Sequence, residues 1–499
     1  MASTFELETL NMRMSAADLQ PLDLHQRIQR ALRALILEGA LAPGLKLPAS
    51  RVLAASLGVA RDTVENAYVH LHRDGFITRR EGSGSYVSNT LGPELRGSAR
   101  RRPGTPGRRR EASPAPAPAL SRRGQSILEH GGVSDQQEIR AFAPGLPETR
   151  AFPLAVWERL HRQVMKDHRD SVLLHGDPQG AEPLRKAIAT YLNLERGAKC
   201  SPEQILVLSS TRQALLLCAQ LLADAGKPVL MENPGYIGAR RAFEAAETRV
   251  IPIDVDHHGL RTDLLRADTS GATCLYVTPS HQYPTGATLP LERRLELINW
   301  AAEHHRWIIE DDYDSEFHYD GLPTACVQGL DPYRRTVYLG TFSKTLFPGL
   351  RMGYMVLPPE LVEVFTRARS IMDGHTPQLL QLTVARFMED GHYNAHIRAM
   401  RKLYRARRTV LLDAVSRHLP GIASALPPPG GLQIPCFLAD GWSEERTLRQ
   451  AARAGIQLLG LSPLYAGTAS RPGWLLGYAS LTEHEIEAAM RRLAKVLKR

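Results

Sequence analysis

Residues 336–354 read TVYLGTFSKTLFPGLRMGY. The stretch opens as a short apolar, β-branched strand and closes it with Ser343 and Lys344, and Arg351 follows seven residues on. Five runs upstream have the same character: ILVLSS from Ile205, PVLMENP from Pro228, RVIPIDVD from Arg249, CLYVTPS from Cys274 and WIIEDDY from Trp307. Amphipathic stretches such as QALLLCAQLLADAG and LERRLELINWAAEHH separate several of them. Strands apolar on both faces and alternating with helices predict an α/β fold, its mostly parallel sheet covered on both sides. Ligands of such sheets bind outside the carboxyl ends of the strands.

Those ends carry chemistry. Ser209, Ser210 and Thr211 end the first run and open a helix, where free N–H groups and the helix dipole favour a phosphate. Asn233 and Tyr236 follow the second run, His281, Gln282 and Tyr283 the fourth, and Asp311 and Tyr313 close the fifth. With Ser343, Lys344 and Arg351, one rim offers a phosphate site, an aromatic, a carboxylate and a lysine. Pyridoxal 5'-phosphate (PLP) needs that set. A lysine amine condenses with its aldehyde, and a carboxylate keeps its pyridine nitrogen protonated. Hydroxyls and an arginine hold its phosphate, and an aromatic stacks on its ring.

Near the N-terminus the pattern changes. Leu24, Ile28, Ala31, Leu32, Leu35 and Ile36 fall at helical spacing. A short helix from Arg51 to Leu57, a turn at Gly58 and a second helix from Ala60 to Arg73 make a helix-turn-helix pattern. The second helix would offer Arg61, Asp62, Thr63 and Asn66 to a DNA groove. FITRREGSGSYV then reads as two strands around a Gly-Ser-Gly tip, a wing with Arg79 and Arg80 beside it.

The chain has 499 residues, 43% hydrophobic and 23% charged, which suits two or three globular domains. Its net charge of +10 is concentrated: between Asn89 and Gly124 lie nine arginines, no lysine and two acids. That stretch is rich in Pro, Gly, Ala and Ser and nearly free of large apolar side chains, so it is expected to be a flexible, extended linker. The expected domains are 18–88 for the DNA module, 89–135 for the linker and 136–499 for the α/β module. Five cysteines, odd in number and without C-x-x-C, exclude a disulfide framework or zinc site. No apolar run would span a bilayer, and Met1–Met14 lacks a basic segment followed by an apolar one, so a cytoplasmic protein is expected.

Two resemblances sharpen these expectations. The N-terminal module, with LPASRVLA and the closing GSGSYV, resembles the winged helix-turn-helix of GntR-type bacterial regulators, which implies DNA contacts from Arg51, Arg61, Thr63 and the wing at Gly82. Residues from about 140 onward resemble fold type I PLP enzymes, the class I aminotransferases, through HGDPQGAEPLRKAIATYL, ENPGY, TPSHQYPTG, IIEDDYDSEF and GTFSKTLFPGLRMGY. That resemblance makes Lys344 the Schiff-base lysine and Asp311 the partner of the pyridine nitrogen. Tyr313 would reach the phenolic oxygen and Tyr236 stack on the ring, and Ser210, Thr211, Ser343 and Arg351 would hold the phosphate. It also implies a large part over about 200–395 and a small part over about 400–499.

Three departures stand out. His175 occupies the place of a tyrosine before Gly-Asp-Pro. Tyr283-Pro284-Thr285-Gly286 replaces Asn-Pro-Thr-Gly, which shifts the expected amide donor to Gln282. WLLGYAS lacks the carboxylate-clamping arginine, leaving Arg471 as the nearest candidate. The two modules in one chain resemble the MocR subfamily. The resemblance implies a multi-domain, PLP-dependent regulator of double-stranded operator DNA that forms head-to-tail homodimers. Its effector would be a small amine or amino acid, or PLP itself; a dicarboxylate, GABA and taurine all remain open. An active aminotransferase with an accessory N-terminal module is the alternative.

Overall fold

The computed structural model describes residues 5–80, 82–89, 120–130, 132, 138–320 and 324–498. The chain divides into two compact units, 1–116 and 117–499.

In the first unit, helices α1 (Leu7–Met14), α2 (Leu24–Leu37), α3 (Ser50–Leu57) and α4 (Arg61–Arg73) precede a hairpin of β1 (Ile77–Arg80) and β2 (Gly84–Val87). The turn between α3 and α4 requires Gly58, whose φ of 65° lies in the left-handed region that side chains with a Cβ avoid. Ile28, Leu32, Leu53, Val64, Tyr68, Leu71, Ile77 and Val87 form one buried core. Leu10 of α1 is fully buried in it, so the folded module begins before residue 18. Its sequence has no contrasting polar face long enough to announce a helix. The loop before α3 joins the wing as well: Leu47 N–H donates to Ser85 O at 2.8 Å and Val87 N–H to Leu45 O at 2.9 Å.

Of the segment expected to be linker, 90–119, with the arginine run at 96–110, lies outside the described residues. Its end corrects the expectation of extended chain. Arg122–His130 is a helix, α5, packed on the helix Ile237–Ala245, with Arg123 3.8 Å from Glu247. An apolar pair, Ile127 and Leu128, within a charged stretch is the weak signal for it.

The second unit continues with α6 (Leu154–Asp167), α7 (Glu182–Glu195), β3 (Ile205–Leu208), α8 (Thr211–Leu222), β4 (Pro228–Asn233), α9 (Ile237–Ala245), β5 (Arg249–Asp256), β6 (Gly259–Leu260), β7 (Cys274–Val277), β8 (Trp307–Asp312), β9 (Thr336–Thr341) and β10 (Gly353–Val356). The strands form one sheet in the order β3-β10-β9-β8-β7-β4-β5-β6. β5, β4, β7, β8 and β9 are parallel. β10 runs against both β9 and β3, so β3 points the same way as the parallel set. Side chains alternate between two buried layers: Met231, Tyr276 and Ile309 face α8 and α9, while Leu230, Leu275 and Ile308 face the opposite side. The helix His392–His418 leads into a second, antiparallel sheet of β11 (Ala423–Ala425), β12 (Gln433–Leu438), β13 (Leu459–Gly460) and β14 (Gly473–Gly477), backed by the helix Glu483–Leu497.

Candidate functional site

Because β3, β4, β7, β8 and β9 share a direction, the segments leaving their carboxyl ends meet at one rim. They enclose a cavity of about 610 Å³ lined by Ser210, Thr211, Tyr236, Asp311, Tyr313, Ser343, Lys344 and Arg351, all expected there.

Strand alternation separates the acids of β8. Asp311 shares the parity of Ile309 and faces the α8–α9 layer, where Tyr276 on the neighbouring strand donates its hydroxyl hydrogen to Asp311 Oδ2 at 2.7 Å. Asp312 faces the other way and is tied to Arg196 and Tyr338. Asp311 Oδ1 is buried and has no hydrogen-bond partner among the described residues. Burial pushes the Asp311 carboxyl up to about 7, against the Tyr276 hydrogen bond that lowers it. A buried acceptor left unmade at a cavity fits a ligand carrying an N–H, as a protonated pyridine nitrogen does.

The other end of the cavity suits an anion. Ser210 caps α8, its Oγ accepting from Gln213 N–H at 3.3 Å, and the first turn of α8 lines the cavity at Thr211. Arg351 has φ 51° and ψ 55°, a left-handed conformation costing a non-glycine residue about 1 kcal/mol, and its exposed side chain lines the cavity. Lys344 Nζ donates to Gly145 O at 2.6 Å, and both residues line the cavity. Tyr236, Tyr283 and Tyr313 form an aromatic wall, with ring centroids 5.6 and 6.2 Å apart in sequence along it. The Tyr236 ring occupies the space where a Cβ on residue 238 would lie, so Gly238 lets it fold back over α9. Tyr313 donates its hydroxyl hydrogen to His281 O at 3.0 Å, and burial pushes its pKa up, so it stays protonated. The acid, the lysine, the anion end and the aromatic wall match PLP.

Three expected residues are not brought to the cavity. Gln282 is spent on its own loop: its amide donates to Pro234 O at 2.9 Å and Tyr283 O at 2.6 Å, and accepts from Thr285 Oγ1 at 2.7 Å. His175 is exposed and meets His375 edge-on at 5.7 Å. Arg471 lies with its guanidinium 3.8 Å from the Phe437 ring centroid, outside the lining. The cavity adds Tyr276, Arg212, Arg241, Gln433 and Gln457, which the sequence reading missed. Tyr276 was legible only through register, since CLYV reads equally well as plain core.

Replacing Asp311 by Asn removes the charge and keeps an acceptor for Tyr276. PLP affinity is expected to fall roughly 10- to 150-fold, the worth of a charged hydrogen bond of about 1.5–3 kcal/mol, in an equilibrium titration followed by absorbance. Unchanged affinity would remove Asp311 from the site.

On the first unit, Arg51 in α3 and Arg61 in the first turn of α4 are exposed, and Thr63 is half-buried beside them. Arg79 is partly spent on Glu65 at 2.8 Å. Arg80 lies over the Tyr86 ring at 4.8 Å and Lys46 approaches it at 5.7 Å, a basic pair of which Lys46 was not expected. Gly82 sits at the wing tip with φ 71°.

Fold and sites together define a winged-helix DNA reader joined to an aminotransferase-type, PLP-binding domain. Residues 24–87 match the model of bacterial regulatory proteins of the gntR family, and 148–493 match aminotransferase class I and II. The chain is 37% identical over 463 residues to the probable rhizopine catabolism regulatory protein MocR of Rhizobium meliloti, covering 92% of this chain and 90% of that protein. It is 30% identical to the pyridoxine biosynthesis transcriptional regulator PdxR of Corynebacterium glutamicum, covering 93% and 94%. Among solved structures, the α-aminoadipate aminotransferase LysN of Thermus thermophilus, complexed with N-(5'-phosphopyridoxyl)-L-leucine, matches with TM-score 0.68 and 28% identity over 76% of this chain and 95% of that one. The chain belongs to the MocR subfamily of GntR-type transcription regulators, with a class I and II aminotransferase domain. Among the described residues no helix is long and apolar enough to cross a membrane.

Proposed function

We propose that this regulator reads the concentration of an amine, or of PLP itself, at the Lys344 cavity and converts it into a change of operator affinity, working as a head-to-tail homodimer. The observation that carries the reading is the pairing of Lys344 with the unpartnered Asp311 oxygen in one cavity, within a chain that also holds a DNA reader. Bound PLP supplies an aldehyde that condenses reversibly with primary amines. Asp311 orients the ring, Ser210, Thr211 and Arg351 anchor the phosphate, and Tyr236 covers the face. Lys344 and an effector amine would compete for that aldehyde, and a bound effector would leave the Lys344 amine free. The cavity wall includes Gln433 of β12 and Leu459 of β13, so its occupancy bears directly on how the second sheet sits against the first. Coupling of this kind is reciprocal: effector and DNA each change the other's affinity by the same factor.

The test begins with an operator selected from random duplexes by the PLP-loaded chain. Candidate amines are then titrated while the cofactor's visible band and DNA affinity are both followed. A coupling of 1–3 kcal/mol predicts a change in DNA affinity of about 5- to 150-fold. A spectral change with no change in DNA affinity, or steady turnover of an amino donor and a 2-oxo acid with no operator selected, overturns the reading. On the DNA side, Arg61→Ala is expected to weaken binding and to flatten the log–log salt slope by about 0.9 if it loses one phosphate contact. An unchanged slope and affinity would place Arg61 off the DNA.

A further inference from the structure

Tyr313 lines the cavity, yet its hydroxyl is held by a residue outside the lining, His281 of the loop after β7. His281 grips two consecutive residues of the segment after β8. Its backbone O accepts the Tyr313 hydroxyl hydrogen at 3.0 Å, and its ring Nδ1 lies 2.8 Å from Asp314 Oδ1. A carboxylate accepts, so Nδ1 donates. Both side chains of the pair are almost fully buried. The ring is enclosed on its other sides as well. His318 lies parallel to it, at 9° with centroids 6.1 Å apart, and a Cβ on residue 430 would stand 2.5 Å from Nε2.

The backbone approaching β12 therefore passes over the edge of the His281 ring at Gly430, two residues before Leu432 joins the cavity lining. That backbone is itself fixed, since Gly431 N–H donates to Phe317 O at 2.8 Å. The ring cannot turn away from Asp314 without displacing it. A buried histidine paired with a buried acid is an ordinary core arrangement. This one differs in its two-point hold on Tyr313 and Asp314, both of which line the cavity. The ring bond fixes residue 281, and with it the carbonyl on which the Tyr313 hydroxyl rests. A side chain already held in place has little freedom left to lose when a ligand binds, and the difference appears as affinity.

We propose that His281 is a positioning residue for PLP: clamped by Asp314, it holds the Tyr313 hydroxyl ready to donate to the cofactor's phenolic oxygen. On binding, the single hydroxyl hydrogen turns from the His281 carbonyl to that oxygen. The assignment rests on PLP binding in the cavity and is independent of the sensing function.

The test is a double-mutant cycle in the full-length chain. It combines Tyr313→Phe with His281→Phe, which keeps a flat ring and loses the bond to Asp314. PLP affinity is read by equilibrium titration, and the pH midpoint of the visible band is read on the loaded chain. A hydrogen bond donated to the phenolic oxygen draws off the negative charge that holds the cofactor's titrating proton, so its loss raises the midpoint. Tyr313→Phe is expected to raise it by about 0.4–1.1 pH units and to weaken PLP binding about 2- to 12-fold, the worth of one hydrogen bond. His281→Phe should move both quantities in the same directions in the unaltered chain and move neither further in the Tyr313→Phe chain. His281→Asn, whose amide nitrogen replaces Nδ1, should keep the unaltered values. Equal effects of His281→Phe with and without the Tyr313 hydroxyl overturn the proposal. So does a His281→Phe chain that loses stability to denaturant yet keeps the unaltered midpoint and affinity, since that is a structural role alone. His281→Asn behaving like His281→Phe overturns it, as does Tyr313→Phe leaving midpoint and affinity unmoved. Should His281→Phe not fold, Asp314→Leu removes the same bond from its other end and takes its place in the cycle, with the same outcomes deciding. DNA affinity that ignores every effector would end the sensing function and leave this assignment standing.

Discussion

Lys344→Ala is expected to abolish both the borohydride-fixed attachment of PLP and every effector-dependent change in DNA affinity, while the winged helix goes on binding DNA with an unchanged salt slope. The first part follows from chemistry: only a primary amine forms the reducible bond, and among the described residues no other lysine lines the cavity. The second follows from competition. With no lysine amine to displace, an effector has no bound-state difference to convert into a change of affinity, and a ligand that does not distinguish two states shifts nothing. The fold should survive, because Lys344 is only part-buried and lines the cavity rather than the hydrophobic core. The residual affinity for PLP then measures what Ser210, Thr211, Arg351 and Asp311 contribute without the covalent bond. Peptide mapping after borohydride treatment locates the attachment; a label of undiminished yield in the variant would move it to another residue.

The parts of this molecule that were legible beforehand share a property: each is encoded within one continuous stretch. The strand runs from Ile205 to Thr341 are mostly apolar and bounded by turns, and α3, Gly58 and α4 are consecutive. What was missed depends on neighbours far along the chain. β10 reads like its parallel companions, and only its place between β3 and β9 makes it antiparallel. Gln282 carries the right functional group, and its loop consumes it, a competition among Pro234, Tyr283 and Thr285 that no spacing reveals. Arg471 is drawn aside similarly, since the turn before β14 lays its guanidinium on the Phe437 ring of β12. Arg212 and Arg241 stand at ordinary charged positions of amphipathic helices, and only the cavity beside them sets them apart. The choice between Asp311 and its neighbours is the instructive intermediate case. It follows from the period of two along β8 once one residue's direction is known, and Tyr276 supplies that direction.

The same alternation puts the largest expected loss of stability one residue away from the cavity. Asp312 faces the opposite layer, where Arg196 Nε donates to its Oδ2 at 2.9 Å and the Tyr338 hydroxyl donates to the same oxygen at 2.8 Å. Arg196 also donates to Ser280 Oγ at 2.8 Å, so it ties the end of α7 to β8 and to the loop after β7. Both partners are almost completely buried. Burial alone would raise the Asp312 pKa, yet Arg196 and the hydrogen bonds outweigh it and hold the carboxyl below the ordinary range. An acid so depressed stabilises the fold above the pH at which the unfolded chain ionises, about 3.9, and that contribution is lost as pH falls through the folded value. Arg196→Ala leaves a buried carboxylate without its counter-charge and should cost roughly 3–5 kcal/mol at neutral pH, read as a lower denaturant midpoint of the second unit. The deficit should shrink on acidification, because a protonated Asp312 no longer requires the guanidinium. Replacing both partners by leucine should recover most of the loss, since what the single change creates is an unpaired charge rather than a missing contact. A single variant within 1 kcal/mol of the unaltered chain would mean that water reaches Asp312. The packing that fixes the direction of β8, and with it the aim of Asp311 at the cavity, would then have to come from elsewhere.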